Sequence, residues 1–195
     1  MTSSTNSLTR IALFAAILAL TAFIRIPAGP VPLTLQSTAA LLCGYCLGPR
    51  RGAAATLLYT AVGLAGLPVF ASGGGPAYIL SPTFGYIIGF TACAIVAGAL
   101  APLNPRGSAL FAYLIMLAGL GALYLPGLVW LYGTIRFLSG APADVASILQ
   151  AGLFIPLIGD LVKTVPAAVI GVRLRALLLK RDGVPACACA RGVNM

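Results

Sequence analysis

Three acidic residues, Asp144, Asp160 and Asp182, are all that a chain of 195 residues contains. Charged residues of either sign make up 8% of the sequence, against about 25% in a soluble domain. A chain this poor in charge cannot clothe a water-facing surface. With 60% hydrophobic residues and a mean hydropathy of +1.04, it belongs in a lipid bilayer. At about 20 residues per span there is room for about six spans joined by short loops. The expectation is an all-α polytopic membrane protein, one integral domain over residues 1–195 built as a six-helix transmembrane bundle. Residues 1–9 and 182–195 are expected as flexible tails.

The net charge of +9 does not point to nucleic acid, because the basic residues are scattered at loop and tail positions. Histidine is absent, which removes the commonest general base and metal ligand. The five cysteines form no metal-binding pattern. Cys43 and Cys46 form a C-x-x-C pair in a predicted span, with no second pair to complete a zinc site, and read as small packing residues, as does Cys93. Cys187 and Cys189 sit in the C-terminal tail, which is either a site of reversible lipid attachment or unstructured.

The spans follow in order. Arg10 precedes an uncharged run over residues 11–24, read as the first span rather than a cleaved signal because further spans follow. Small residues recur along it, at Ala12 and Ala16 and at Ala15 and Ala19. Such a stripe lets another helix approach closely, whether a partner's or one of this chain's own. Pro27, Pro30 and Pro32 preclude a regular helix before the second span, residues 33–47. A basic turn at Gly48-Pro49-Arg50-Arg51-Gly52 leads to the third, residues 53–67. The loop that follows holds Gly73, Gly74 and Gly75 without the Gly-Lys-Ser/Thr of a nucleotide-binding loop, so it is a lid over a site or a plain connector. The fourth span covers residues 83–100 and the fifth residues 108–132, with a kink or tilt expected at Pro126-Gly127. Asp144 is placed to cap a short interfacial helix, and the sixth span covers residues 159–179.

Topology follows from the cations. With both termini on one side, that side gathers Arg10, Arg50, Arg51, Arg106, Arg173, Arg175, Lys180, Arg181 and Arg191, against Arg25 and Arg136 on the other. The positive-inside rule makes the termini cytoplasmic, in the cell membrane. The Pro- and Gly-rich loops and Asp160 then converge on the outer face, which implies an externally facing pocket.

Asp160 and Lys163 carry the chemistry. They stand three residues apart in an apolar segment, so both heads share one helix face. Ionisable groups at membrane depth are costly and mark functional sites, the alternative being a structural ion pair. Pro156 and Gly159 are expected to break the helix so that Asp160 enters its first turn, where the helix dipole favours a carboxylate. If the helix begins instead near Pro166, the pair lies on unwound chain. Without a nucleophile and base the pair binds rather than catalyses, so no enzyme is expected. A carboxylate beside an ammonium matches a ligand with adjacent N–H and C=O groups, such as a urea or amide ring. Tyr59, Tyr78, Tyr86 and Trp130 are candidates for flat walls.

Five ordered motifs carry a resemblance. They are Val31-Pro32-Leu33-Thr34-Leu35-Gln36, Leu47-Gly48-Pro49-Arg50-Arg51-Gly52, Gly66-Leu67-Pro68-Val69-Phe70, Ser81-Pro82-Thr83-Phe84-Gly85-Tyr86, and Phe154-Ile155-Pro156 with Gly159-Asp160-Leu161-Val162-Lys163. Over residues 8–180 the chain resembles the BioY family, the biotin-binding S-components of energy-coupling factor transporters. The resemblance implies a biotin pocket near the outer face and transport driven by a transmembrane coupling subunit with two ATPase subunits. It implies ring contacts from Asp160 and Lys163, with Gln36, Tyr78, Tyr86 and Gly74 as further candidate contacts, and docking of the coupling subunit on Ala12 and Ala16. It implies no cofactor and no metal. Carriage of another small vitamin is the alternative, with a membrane enzyme the weaker one. Where some members carry an asparagine in the glycine-rich loop, this chain has Ser72, Gly73, Gly74 and Gly75, and it has two extra residues between Pro156 and Gly159.

Overall fold

The computed structural model describes residues 2–26, 31–137 and 144–181, so residues 27–30 and the tail with Asp182, Cys187, Cys189 and Arg191 lie outside the described residues. The described chain is all-α apart from one two-stranded hairpin. Helix α1 spans Thr2–Ala22; β1, Arg25–Ile26, pairs antiparallel with β2, Leu33–Thr34, in the register Arg25 to Thr34. Then come α2 Gln36–Leu47, α3 Pro49–Leu64, α4 Phe84–Leu100, α5 Ala109–Phe137, α6 Val145–Leu149 and α7 Ile155–Arg181. The most extensive packing is between α4 and α5; α2 and α3 both lie on α4, α7 crosses α2 and α5, and α1 lies on α3 and α2.

The bundle is apolar outside as well as inside. Leu125, Val129, Ile158 and Val162 stand exposed along α5 and α7, while Gln36, Ser37, Thr56, Asp160 and Thr164 are buried. That inversion suits lipid, not water. Four stretches are long and apolar enough to cross a membrane: Thr5–Ala22, Phe84–Leu103, Ala109–Phe137 and Val145–Arg181. Helices α2 and α3, of 12 and 16 residues, reach only about 18 and 24 Å.

Local sequence explains the turns. Gly48 takes a positive φ of 82°, which lets α2 end and α3 begin one residue later with Pro49 in its first turn. The two helices then close on α4 through missing side chains. A Cβ on Gly44 would lie 2.2 Å from the Ala94 carbonyl oxygen, and one on Gly98 2.5 Å from the Pro49 nitrogen. Asp144 caps α6, accepting hydrogen bonds from the Ala146 and Ser147 amides and the Ser147 hydroxyl. The Ser147 hydroxyl foremost, and then the amides, hold its carboxyl below the usual range.

The structure corrects several boundaries. Residues 2–9 continue α1 and are helical, so they are not the expected tail. The second helix begins at Gln36 and not at residue 33, because Leu33 and Thr34 are in β2. The fifth helix runs through Pro126 to Phe137, which brings Arg136 into its last turn, where a cation suits the dipole. The largest correction concerns Asp160. Pro156 and Gly159 do not break the helix, and Asp160 is not in a first turn: α6, a π-helical turn over Gln150–Phe154 and α7 are continuous in sequence. Pro156 has no N–H to give to the turn behind it, where the register is already π-helical, Ile155 N–H bonding the Gln150 carbonyl. Tyr86 Oη donates from α4 to the Gly152 carbonyl of that turn at 2.7 Å. Tyr86→Phe should therefore cost about 1–3 kcal/mol, the penalty of a buried acceptor left unmet. Thermal unfolding of the ligand-free protein in detergent measures it, and an unchanged transition would show that the carbonyl needs no donor.

Candidate functional site

One cavity opens among α2, α4, α5, α7 and the hairpin, with about 540 Å³ between its walls including the open space at its mouth. One wall is the extended segment Val31–Thr34 with Gln36 and Ser37; another is Tyr86, Ile87 and Phe90 on α4; Leu123 and Tyr124 come from α5, Pro156 and Asp160 from α7. Ala71, Tyr78 and Thr83 complete it.

Asp160 is the only charged residue in this lining, and it is 5% exposed. Its burial is met by three partners from three helices. Ser37 Oγ donates to Oδ1 at 2.7 Å, Tyr124 Oη donates to Oδ2 at 2.7 Å, and Lys163 Nζ pairs with Oδ1 at 2.7 Å. A carboxylate offers about four lone-pair sites. Three protein donors leave it able to accept one more hydrogen bond, from the cavity side. Charge is balanced within the pair, so the polar end of the cavity favours a neutral, N–H-bearing group over an anion or a cation.

The sequence-predicted residues divide. Asp160, Gln36, Tyr78 and Tyr86 line the cavity together. Lys163 is behind Asp160 and outside the lining; besides the ion pair it donates to the Thr34 carbonyl of β2. Gly74 is outside the lining too. A Cβ there would lie 2.1 Å from the Leu67 carbonyl oxygen, so its place is in folding the loop back on α3, where Gly75 N–H also bonds the Gly63 carbonyl at 2.8 Å. Phe70 anchors that loop, buried between Tyr59 and Tyr78 with ring centroids 5.4 and 4.6 Å away. Tyr59 and Trp130 are not walls. Tyr59 Oη takes the Gln36 amide and donates to the Val69 carbonyl at 3.2 Å, while the Trp130 N–H bonds the Ser81 carbonyl at 3.1 Å. Ala12 and Ala16 are exposed on α1, whereas Ala15 and Leu18 turn inward. Ser37 and Tyr124 were missed; the available signal was polarity, a hydroxyl beside Gln36 and a tyrosine in the middle of an apolar span. Among the described residues no cluster of His, Cys, Asp or Glu fit to hold a metal occurs.

A helical membrane bundle closing on one small-molecule cavity is the architecture of a solute-binding transport subunit. The fold matches a crystal structure described as the S-component for biotin from an ECF-type ABC transporter, with a TM-score of 0.77, 28% identity and coverage of 90% of this chain and 93% of that one. The sequence profile of the BioY family matches residues 1–180, and the chain belongs to that family. A probable biotin transporter BioY of Lysinibacillus sphaericus is 36% identical over 88% of this chain and 87% of its own length. The biotin transporter BioY of Thermotoga maritima is 36% identical over 90% and 99%. Family and relatives are transport proteins, not enzymes.

The ion pair yields a stability prediction. Lys163→Met strands the Asp160 carboxylate without its cation and should cost about 3–5 kcal/mol. Asp160→Asn/Lys163→Met, which removes both charges, should recover much of the loss. Thermal unfolding of the three variants in detergent measures it; a double variant no better than the single would mean the pair's charge balance is not what the fold requires.

Proposed function

We propose that this chain is the biotin-capturing subunit of an energy-coupling factor transporter. The observation that carries the reading is Asp160, held by Ser37, Tyr124 and Lys163 at the polar end of a cavity, in a chain whose relatives are named biotin transporters. A cyclic urea presents N–H donors to that carboxylate. Ile87, Phe90 and Leu123 supply apolar cover for the rest of the bicycle. Lys163 supports this contact from behind, by balancing the charge of Asp160 and tying β2 to α7.

The distribution of basic residues supports cytoplasmic termini and a cavity facing outward. Six passes follow if the short α2 and α3 are completed across the bilayer by the non-helical segments beside them. The sequence carries no nucleotide-binding Gly-Lys-Ser/Thr motif. Concentrative uptake then falls to partners: a transmembrane coupling subunit and two ATPase subunits. The exposed Ala12/Ala16 face of α1 supports docking there, since in lipid only small side chains let helices approach closely.

Two measurements test the reading. Asp160→Asn should weaken biotin binding by about 1.5–3 kcal/mol, the range for a hydrogen bond to a charged group. Calorimetry in detergent reads it, with riboflavin and thiamine as competitors; a preference for either would overturn biotin as the cargo. Ala12→Trp/Ala16→Trp should abolish co-purification with the coupling and ATPase subunits and leave biotin affinity unchanged. Loss of binding with assembly intact would place the stripe in internal packing.

A further inference from the structure

The cavity lining holds one charged residue, Asp160, and that charge is balanced by Lys163. A ligand carrying an acid group, as biotin does on its side chain, finds no unbalanced cation among the lining residues and must keep its carboxylate clear of Asp160. At the rim the structure offers one. Arg25 stands in β1 opposite Thr34, itself a lining residue, and its guanidinium donates to the carbonyl of Ala71, another lining residue, in the glycine-containing loop. The side chain is exposed and rests on a neutral acceptor. Lys163 is the other nearby cation, but it is engaged with both Asp160 and the Thr34 carbonyl. A guanidinium carries five N–H donors in a fork suited to a carboxylate, and charge-assisted bonds of that kind are about twice as strong as a bond to a neutral carbonyl.

We propose that Arg25 is the subsite for the ligand's carboxylate, exchanging or sharing its bond to Ala71 for a bidentate contact with the acid group at the mouth of the cavity. The proposal rests on the reading of the cargo as biotin and adds a division of labour: Asp160 selects a neutral N–H-bearing head, and Arg25 selects an anionic tail. Since Arg25 joins the hairpin to the loop across the rim, occupancy by an acid draws the guanidinium from a protein carbonyl to the ligand. A neutral tail leaves it where it is.

The test compares biotin with biotin methyl ester, which keeps the ring and neutralises the tail, by calorimetry on the full chain in detergent. Wild type should bind the ester about tenfold or more weakly than biotin, the scale of one charge-assisted contact. Arg25→Gln should weaken biotin by about the same factor and leave the ester unchanged, erasing the discrimination. Arg25→Lys, which keeps the charge and loses the fork, should fall between. Equal wild-type affinity for acid and ester overturns the proposal, and so does an Arg25→Gln variant that weakens both ligands alike, which would make Arg25 a strut of the rim. In either case biotin still binds and the cargo reading stands. Failure of wild type to bind either ligand overturns both.

Discussion

A carboxylate buried among apolar helices has to be answered from every side, and the answers to Asp160 hold this structure in register. Ser37 answers from the first turn of α2, Tyr124 from the middle of α5 and Lys163 from the next turn of α7. Lys163 passes the constraint on to the hairpin through the Thr34 carbonyl. The hairpin, α2, α5 and α7 are thus tied to one side chain. An unpaired ion in hydrocarbon costs several kcal/mol, so any arrangement of the bundle that separates these donors is disfavoured by at least that much. Binding capacity and fold specificity come from the same atoms: the set that neutralises the carboxylate also turns its remaining acceptor toward the cavity.

Tyr86 has a similar double position. Its ring lies against Gly127 on α5, where a Cβ would be 2.6 Å from ring carbon, and its hydroxyl reaches the Gly152 carbonyl. It lines the cavity while donating to a carbonyl of the turn just before Pro156. A proline inside a helix in lipid is tolerated where a neighbouring side chain replaces the lost donor. The helix carrying Asp160 therefore stays continuous, and its rigidity fixes where the carboxylate points.

How much of this could be read in the sequence follows from which interactions are local. The three-residue spacing of Asp160 and Lys163 is a property of one helix, and their ion pair formed as the spacing implies. The apolar runs set the helices, and Gly48-Pro49 set the junction of α2 and α3. Continuity across Pro156 was not legible, because the side chain that bonds the turn before it comes from a residue 66 positions away. The same holds for Ser37 and Tyr124, which are 123 and 36 positions from Asp160. An isolated proline-glycine signal reads as a break; tertiary hydrogen bonding overrode it. Tyr59 and Trp130 were misjudged as walls for a related reason. An aromatic ring in a span advertises area, while the direction it faces is decided by backbone acceptors at Val69 and Ser81.

The cavity itself needs an explanation, since packed helices leave few voids. Its cause lies in how the two ends of α2 are made. At the Leu47 end the helices meet through glycine: Gly44 on Ala94, Gly52 on Gly44 and Gly98 on Pro49 bring backbones into direct contact. Tyr45 joins the same end by accepting a hydrogen bond from Asn104 at 2.9 Å and lying 5.3 Å beneath the Arg175 guanidinium. Close packing of small residues is what drives association in lipid, where apolar burial contributes nothing. At the Gln36 end the residues are large: Tyr78, Tyr86, Phe90 and Tyr124, the three tyrosines each held by a hydrogen bond of its own. At that end α4 and α5 still meet through glycine, a Cβ on Gly89 falling 2.4 Å from the Leu123 carbonyl oxygen, while facing these rings the chain enters as extended hairpin and loop instead of helix. The aromatic rings stand on one side and the extended segment of residues 31–34 on the other. The space between them is the cavity, and the residue that could not be buried without partners stands at its wall.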